Sequence, residues 1–449
     1  MSVTGELPRV HQLEQARDQQ PTLKQPSLEQ SSAEQPSAEQ PSADQADVWA
    51  ARSAQLPGAE LLLNPAKLSE LLTRQVRITH LRIKPDHSVV VTFVDRCGAY
   101  GYAALTTDAD KFTKAIQRAA RVGETLHVHQ DESPWLFSGP VWADPVLATA
   151  LHSAFAATSQ RFGEDGAHWE MLRYNPRRRV VAAVGPRGRP SHVVRVVESG
   201  AAKLLETTAR WRELGVPVTN AKALGERDTA VITPMWGVGD LTHHPFEPAA
   251  HSAGSAVALL HSTTRLNTDN DDAAAGSRLQ VLPVSATQAV APIQRFAPWL
   301  GERAEKLAEV IERRLREAAL GRREHAELLA PCELHGDLSA DQVILAAPNS
   351  HKIRLIDLER SGIGHPLRDL GSWAATCFRQ GLPQLVEPFL HGYATQLGIS
   401  ADELDLDLLS AWEAYSHLTG ALDPFRHREQ NWPQLITAAI TCAEEAILR

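Results

Sequence analysis

Sulfur is scarce in this chain: its 449 residues include four cysteines and three methionines. Cys97, Cys332, Cys377 and Cys442 lie far apart, with no C-x-x-C pair and no histidines at zinc-ligand spacing, which excludes a disulfide framework and a structural zinc site. No apolar stretch approaches the roughly 20 residues of a membrane helix, and the first ten residues carry Glu6 and Arg9 in place of an apolar leader. A cytoplasmic setting without a membrane partner is therefore expected. Nor is there an excess of positive charge. Against 45 Lys plus Arg stand 54 Asp plus Glu, a formal net charge of −9, so nucleic acid is not an expected partner. Neither a G-x-G-x-x-G nor a Walker-type loop occurs, and a glycine-rich cradle is not expected. Oligomeric state leaves no mark in the sequence.

Charge and low complexity concentrate at the N-terminus. Residues 1–60 hold nine acids against four bases, which places −5 of the net −9 there. Gln25, Gln30, Gln35, Gln40 and Gln45 recur every fifth residue among Pro, Ser, Ala and Glu. Such a repeat offers too little apolar surface to offset the entropy of ordering, so residues 1–58 are expected to form a disordered tail.

Beyond the tail the periodicities alternate between two kinds. Leu68, Leu71 and Leu72 point to a short helix, and Val76 to Ile83 alternates with period 2, as does Val89 to Val94 after the turn Lys84-Pro85-Asp86-His87-Ser88. With a helical stretch from Asp108 to Arg121, these make residues 59–158 a small α+β module. A second strand-rich stretch opens at Trp169, with a hairpin of Val180–Val184 and His192–Val197, a helix over 201–214 and a strand over 230–234. Most of the remainder reads as helix.

One strand pair interrupts that helical half. His335-Gly336-Asp337-Leu338-Ser339-Ala340-Asp341-Gln342 runs into an apolar strand, Val343 to Ala347, and a second strand, Lys352 to Leu355, ends at Ile356-Asp357. A four-residue turn at Pro348-Asn349-Ser350-His351 pairs position 347 with 352 and sets Gln342 opposite Asp357, with Cβ atoms about 5 Å apart. An amide oxygen and a carboxylate so placed suit a hard Mg²⁺ ion that also binds phosphate. Asp337, on the preceding loop, is then free to take the proton of an attacking hydroxyl.

These motifs, followed by Leu358-Glu359 and Gly364-His365-Pro366-Leu367-Arg368-Asp369-Leu370, resemble the aminoglycoside phosphotransferase and choline kinase family of small-molecule kinases. The resemblance covers roughly residues 169–449. It implies an α+β, protein-kinase-like two-lobe fold, with a small β-rich lobe over 159–236 and a large, mostly helical lobe over 237–449. It also implies ATP and Mg²⁺ as cofactors and a small-molecule hydroxyl as acceptor. Carried over residue by residue, Asp337 is the catalytic base, Gln342 and Asp357 are the Mg²⁺ ligands, and Asp369 is a structural acid that holds the loop. His335 and His261 are packed rather than reactive. Adenine falls near Thr233 to Trp236, so that Thr233, Met235 and Trp236 are nucleotide-binding candidates.

Two departures from the family pattern bear on the chemistry. Gln342 stands where Asn is usual, as in the sugar kinases similar to maltokinase, and offers the same oxygen one methylene further out. Arg195 occupies the place of the phosphate-holding Lys, with Glu206 as its expected acidic partner and Lys203 as a weaker alternative. Arg keeps the charge but presents a fixed fork. Arg177, Arg178 and Arg179 read as a charged strand edge. The sequence thus points to an ATP- and Mg²⁺-dependent kinase of a sugar, amino sugar or aminoglycoside. The competing class is a catalytically degenerate kinase-like protein that binds nucleotide or a partner without phosphoryl transfer.

Overall fold

In the computed structural model of the chain, which describes residues 40–163, 166–266, 280–320 and 330–449, two five-stranded antiparallel sheets lie at the N-terminal side of a helical body. Three short helices come first: α1 (Ala43–Ser53), α2 (Ala59–Leu63) and α3 (Pro65–Leu71). The first sheet follows, with β1 (Val76–Lys84), β2 (Ser88–Asp95), β3 (Tyr100–Thr106), helix α4 (Ala109–Arg121), β4 (His127–Val128) and β5 (Leu136–Pro140), in the order β1-β2-β3-β5-β4. Period-2 alternation gives this sheet two apolar faces. Val89, Val91 and Phe93 join Leu62 and Leu68 on the helical side, while Val90, Tyr102, Ala104 and Phe137 face the other way.

The second face is covered by α4 and by the elements that follow. After α5 (Ala148–Phe162) come β6 (His168–Asn175), β7 (Arg179–Gly185), β8 (His192–Val197), α6 (Ala202–Glu213), β9 (Lys222–Ala223) and β10 (Ala230–Pro234), in the order β6-β7-β8-β10-β9. Val180, Ala182, Val194 and Ile232 share one buried cluster with Val90, Ala104 and Phe137 of the first sheet. The module and the small lobe therefore share one core, to which α5, spanning the boundary expected at 158/159, adds Leu151 and Ala154.

The chain leaves the small lobe through a short connection that is stitched to the large lobe. Gly237 has φ +80°, and a Cβ there would run into the Leu345 carbonyl. Val238 then donates its N–H to Leu345 at 3.0 Å, and β11 (Gly239–Asp240) pairs with β13 (Val343–Leu345), itself paired with β14 (Ile353–Leu355). Between them run α7 (Glu247–Thr263), α8 (Thr287–Phe296), α9 (Gly301–Leu320) and β12 (Cys332–Leu334). The lobe is completed by β15 (Gly362–Gly364), α10 (Leu367–Arg379), α11 (Val386–Leu397), α12 (Leu406–Thr419), α13 (Asp423–Arg426) and α14 (Trp432–Leu448). Helices α7 and α11 cross at Gly254 and Gly392, where a Cβ on either would strike the backbone of the other helix.

Two expectations are corrected. Residues 43–53, placed in a disordered tail, form α1; residues 1–39 lie outside the described residues. The reason is local as well as tertiary. Ser42 and Gln45 close a capping box, and Ala46 and Ala50, one turn apart, are fully buried with Ala54. The second correction is register. Val343 pairs with Leu355 and Leu345 with Ile353, so the loop has five residues rather than four and Ile356, not Asp357, faces Gln342. A turn closed by Ser350 N–H to the Ala347 carbonyl, with Asn349 at φ +59°, absorbs the extra residue.

Helix α1 also fastens the module to the large lobe. Asp47 accepts from Arg428 Nη2 at 2.6 Å and from Trp432 Nε1 at 3.0 Å, and Trp49 Nε1 donates to the Arg295 carbonyl at 3.0 Å. The Arg428 side chain is 5% exposed, so Asp47→Ala strands a buried guanidinium. The expected loss is about 3 kcal/mol of unfolding free energy, read by urea denaturation of the full-length protein, whereas a surface pair would cost less than about 1 kcal/mol.

Candidate functional site

The loop His335-Gly336-Asp337 is held from below by one carboxylate. Asp369, fully buried in the first turn of α10, accepts the backbone N–H of His335 at 2.7 Å and of Gly336 at 2.9 Å. Its Oδ2 also lies 3.2 Å from His261 Nε2, and His261 Nδ1 lies 3.0 Å from the Tyr393 hydroxyl. Burial alone would raise the Asp369 carboxyl, but its hydrogen bond and charge interaction with His261 outweigh it and hold the group below the usual range. Gly336 has φ +81°, where a Cβ would meet the Arg360 carbonyl, so the turn admits only glycine without displacement. The buried His335 ring places Nε2 2.9 Å from the Ile356 carbonyl, which accepts from it, and thereby ties the loop to the β14 strand.

Asp337 projects from this support and is 39% exposed. Burial by its surroundings raises its carboxyl above the ordinary value, against the opposing pull of Arg360, whose Nη1 lies 2.8 Å from Oδ1. The Arg360 side chain is 70% exposed, so this pair is screened by solvent and contributes little to stability. Asp341, next along, accepts from Ser339 and Gln380 at 2.6 and 3.0 Å and is thus occupied locally.

Gln342 ends a short 3-10 turn and is 6% exposed; its Oε1 is buried without a hydrogen-bond partner. An orphaned buried oxygen of this kind calls for a ligand or an ion. Beyond β14, Asp357 takes a left-handed conformation at φ +67°, uncommon for a residue with a side chain. Its carboxylate receives Arg195 Nη1 at 2.9 Å and Arg179 Nη1 at 2.9 Å. Burial by itself would raise the Asp357 carboxyl; Arg195 and then Arg179 reverse this and hold it far below the carboxylate range. Among the described residues no cluster of three His, Cys, Asp or Glu could hold a metal ion, whereas Gln342 and Asp357 supply two hard oxygens of the kind Mg²⁺ accepts.

Arg195 thus lies on β8 facing the large lobe, but the acids bridging to it are Asp357 and Glu359, the latter at 2.8 Å. Glu206, its expected partner, is exposed on α6. Lys203 donates to the Ser361 carbonyl at 2.8 Å and so fastens α6 to the turn after Asp357. At the connection, Met235 N–H is committed to the Ser191 carbonyl at 2.8 Å, Thr233 Oγ1 donates to Val193 at 3.4 Å, and the Trp236 ring carries the Arg354 guanidinium 4.4 Å from its centroid.

The principal residue that sequence reasoning missed is Arg179. It reaches both Asp357 and Glu359. The signal was present: Val181 faces Arg195 across β7 and β8, and Arg179, two residues earlier, shares its face. Toward the C-terminus, Trp432 is buried against Phe425 and Asp47, and Asp423 pairs with Arg426 at 2.9 Å.

A β-rich small lobe, a helical large lobe and a histidine-glycine-aspartate loop beside a second aspartate define a small-molecule phosphotransferase of the kinase-like class. The profile of the phosphotransferase enzyme family matches residues 178–408, just over half of the chain, and the protein belongs to that family. No protein with a curated description matches it. Among solved structures, the chain is similar to a choline/ethanolamine kinase family protein from Mesorhizobium loti (14% identity, 68% of this chain and 95% of the other, TM-score 0.45). It is similar also to the choline kinase of Cryptosporidium parvum (14%, 66% and 95%, TM-score 0.46). A third is the aminoglycoside phosphotransferase APH(3'')-Id of Streptomyces rimosus (22%, 60% and 98%, TM-score 0.40). No helix among the described residues is long and apolar enough to cross a membrane.

The buried Asp369 makes stability depend on pH with a definite sign. A carboxyl whose folded pKa lies below its unfolded value of about 3.9 stabilises fully above that value, and the stabilisation is lost as pH falls through the folded pKa. Unfolding free energy should therefore decline on acidification below about pH 4 to 5, and Asp369→Asn should flatten that part of the profile while lowering stability at neutral pH. An unchanged acid slope in the variant contradicts the assignment.

Proposed function

We propose that the protein transfers the γ-phosphoryl group of ATP, with Mg²⁺, to a hydroxyl group of a small molecule, with a sugar, amino sugar or aminoglycoside as the acceptor class. The observation that carries this reading is the buried, unpartnered Oε1 of Gln342 one hairpin step from Asp357, beside a loop that presents Asp337. Gln342 and Asp357 would hold Mg²⁺, which when bound supplies positive charge to the phosphate oxygens. Asp337 accepts the proton of the acceptor hydroxyl at its carboxylate; its exposure leaves room for an acceptor, and Arg360 is the group the acceptor displaces. Asp369 fixes the loop from which Asp337 acts.

Arg195 takes the role of a phosphate-holding cation, with a fork suited to two oxygens at once. The purine is assigned to Thr233, Met235 and Trp236; with the Met235 N–H already given to Ser191, the remaining backbone groups of that segment are left for its edge. Positioning and charge complementarity carry most of the rate in such a transfer. A second reading has one observation in its favour: Asp357 is covered by two guanidiniums, as in a protein that binds nucleotide or a partner without transfer.

Asp337→Asn separates the two. The substitution should lower turnover on a proven acceptor by at least about 100-fold and leave nucleotide affinity, measured by calorimetry with Mg²⁺, nearly unchanged. In the wild type the acid limb of kcat/KM should lie above the ordinary aspartate value of about 3.9, because the Asp337 carboxyl is raised. Near-normal turnover in the variant rules out Asp337 as the base.

A further inference from the structure

Four charged side chains, two of each sign, meet where the small lobe touches the turn after β14. Arg179 and Arg195 come from neighbouring strands, and Asp357 and Glu359 from one turn. Each carboxylate is bridged to both guanidiniums. The side chains are only 13% to 23% exposed. The set is electrically balanced, and both arginines press on the same oxygen, Oδ1 of Asp357, at 2.9 Å.

That arrangement is hostile to a cation. A divalent ion approaching Asp357 meets two positive groups already seated on the oxygen it needs, and expelling either would leave a half-buried guanidinium with one acid fewer. A polyphosphate changes the balance, because it offers guanidinium forks oxygens that they bind bidentately. The backbone of the turn ahead of Arg179 is engaged elsewhere. Arg177 gives its N–H to Asp144 Oδ2 at 2.8 Å, and the Tyr174 hydroxyl donates to the same atom at 2.6 Å, so the turn is held by a fully buried carboxylate outside the lobe. On this side of the cleft β7 and β8 offer phosphate the side chains of Arg179 and Arg195.

We propose that Arg179 is a positioning residue that, with Arg195, keeps Asp357 closed to divalent cations until a nucleotide polyphosphate draws the two guanidiniums away. This rests on the assignment of Asp357 as a metal ligand. Its distinctive consequence concerns the protein without nucleotide: metal affinity there is suppressed by Arg179, and the suppression is released when the phosphates arrive. Cation and nucleotide then favour each other's binding by one reciprocal factor.

The test uses the full-length protein and Mn²⁺ as the probe, with free Mn²⁺ followed by electron paramagnetic resonance in the absence and presence of ADP. Direct bonds between Mn²⁺ and phosphate give some synergy in any such site, so the deciding quantity is affinity for Mn²⁺ alone. Arg179→Ala and Arg179→Gln should bind Mn²⁺ alone roughly 10-fold more tightly than wild type, bind ADP more weakly, and show a smaller mutual factor. Arg179→Lys, which keeps the charge, should restore most of the suppression. Unchanged or weaker nucleotide-free Mn²⁺ binding in the folded Ala and Gln variants overturns the proposal. Asp357→Asn distinguishes the two levels. If it leaves Mn²⁺ binding in the presence of ADP intact, the metal assignment itself fails; if it abolishes that binding while the Arg179 variants behave as wild type, only the clamp fails.

Discussion

Two guanidiniums from one sheet and two carboxylates from one turn bind the small lobe to the large lobe at the point where phosphate and metal chemistry is proposed. Their side chains are 13% to 23% exposed. Charges taken out of water must be paired or they cost several kcal/mol each, so this balanced set dictates how β7, β8 and the 357–361 turn can be arranged. Lys203, by fastening α6 to the Ser361 carbonyl, secures the same turn from the other side. The left-handed backbone at Asp357 is tolerated because contacts on both sides determine it.

A second constraint works beneath the first. Asp369 gathers two backbone amides and one imidazole in a buried pocket, and the loop carrying Asp337 has its shape because those amides are committed there. Asp337 is thereby presented from a fixed base while its own carboxylate pairs with the solvent-exposed Arg360. The N-terminal module adds a third connection, since its sheet packs on the small lobe and its first helix is bonded to the large one. The two lobes are thus joined through the connection at residues 237–240, through the charge cluster, and through the module.

Much of this was legible in the sequence where local pattern and tertiary demand agree. The strands His192–Val197 and Ala230–Pro234, most of the long helices of the large lobe and the histidine-glycine-aspartate loop follow from periodicity and motif alone, whereas α8 does not. Three features escaped for stated reasons. Helix α1 was hidden by a low-complexity repeat, because the value of Ala46 and Ala50 lies in a neighbouring surface that composition cannot reveal. The hairpin register slipped by one because Asn349 accepts a left-handed conformation and lengthens the loop. Arg179 was lost in a run of three arginines, where only strand register separates the residue facing the cleft from its neighbours.

Together these groups are proposed to move a phosphoryl group from ATP to a small hydroxyl compound. The most direct test is to incubate the full-length protein with ATP, Mg²⁺ and a panel of sugars, amino sugars and aminoglycosides, and to follow each acceptor by mass spectrometry. The account predicts that at least one acceptor gains a single phosphoryl group, in proportion to the ADP formed and only when Mg²⁺ is present. Tight binding of ATP and Mg²⁺ with no phosphorylated acceptor anywhere in the panel contradicts it.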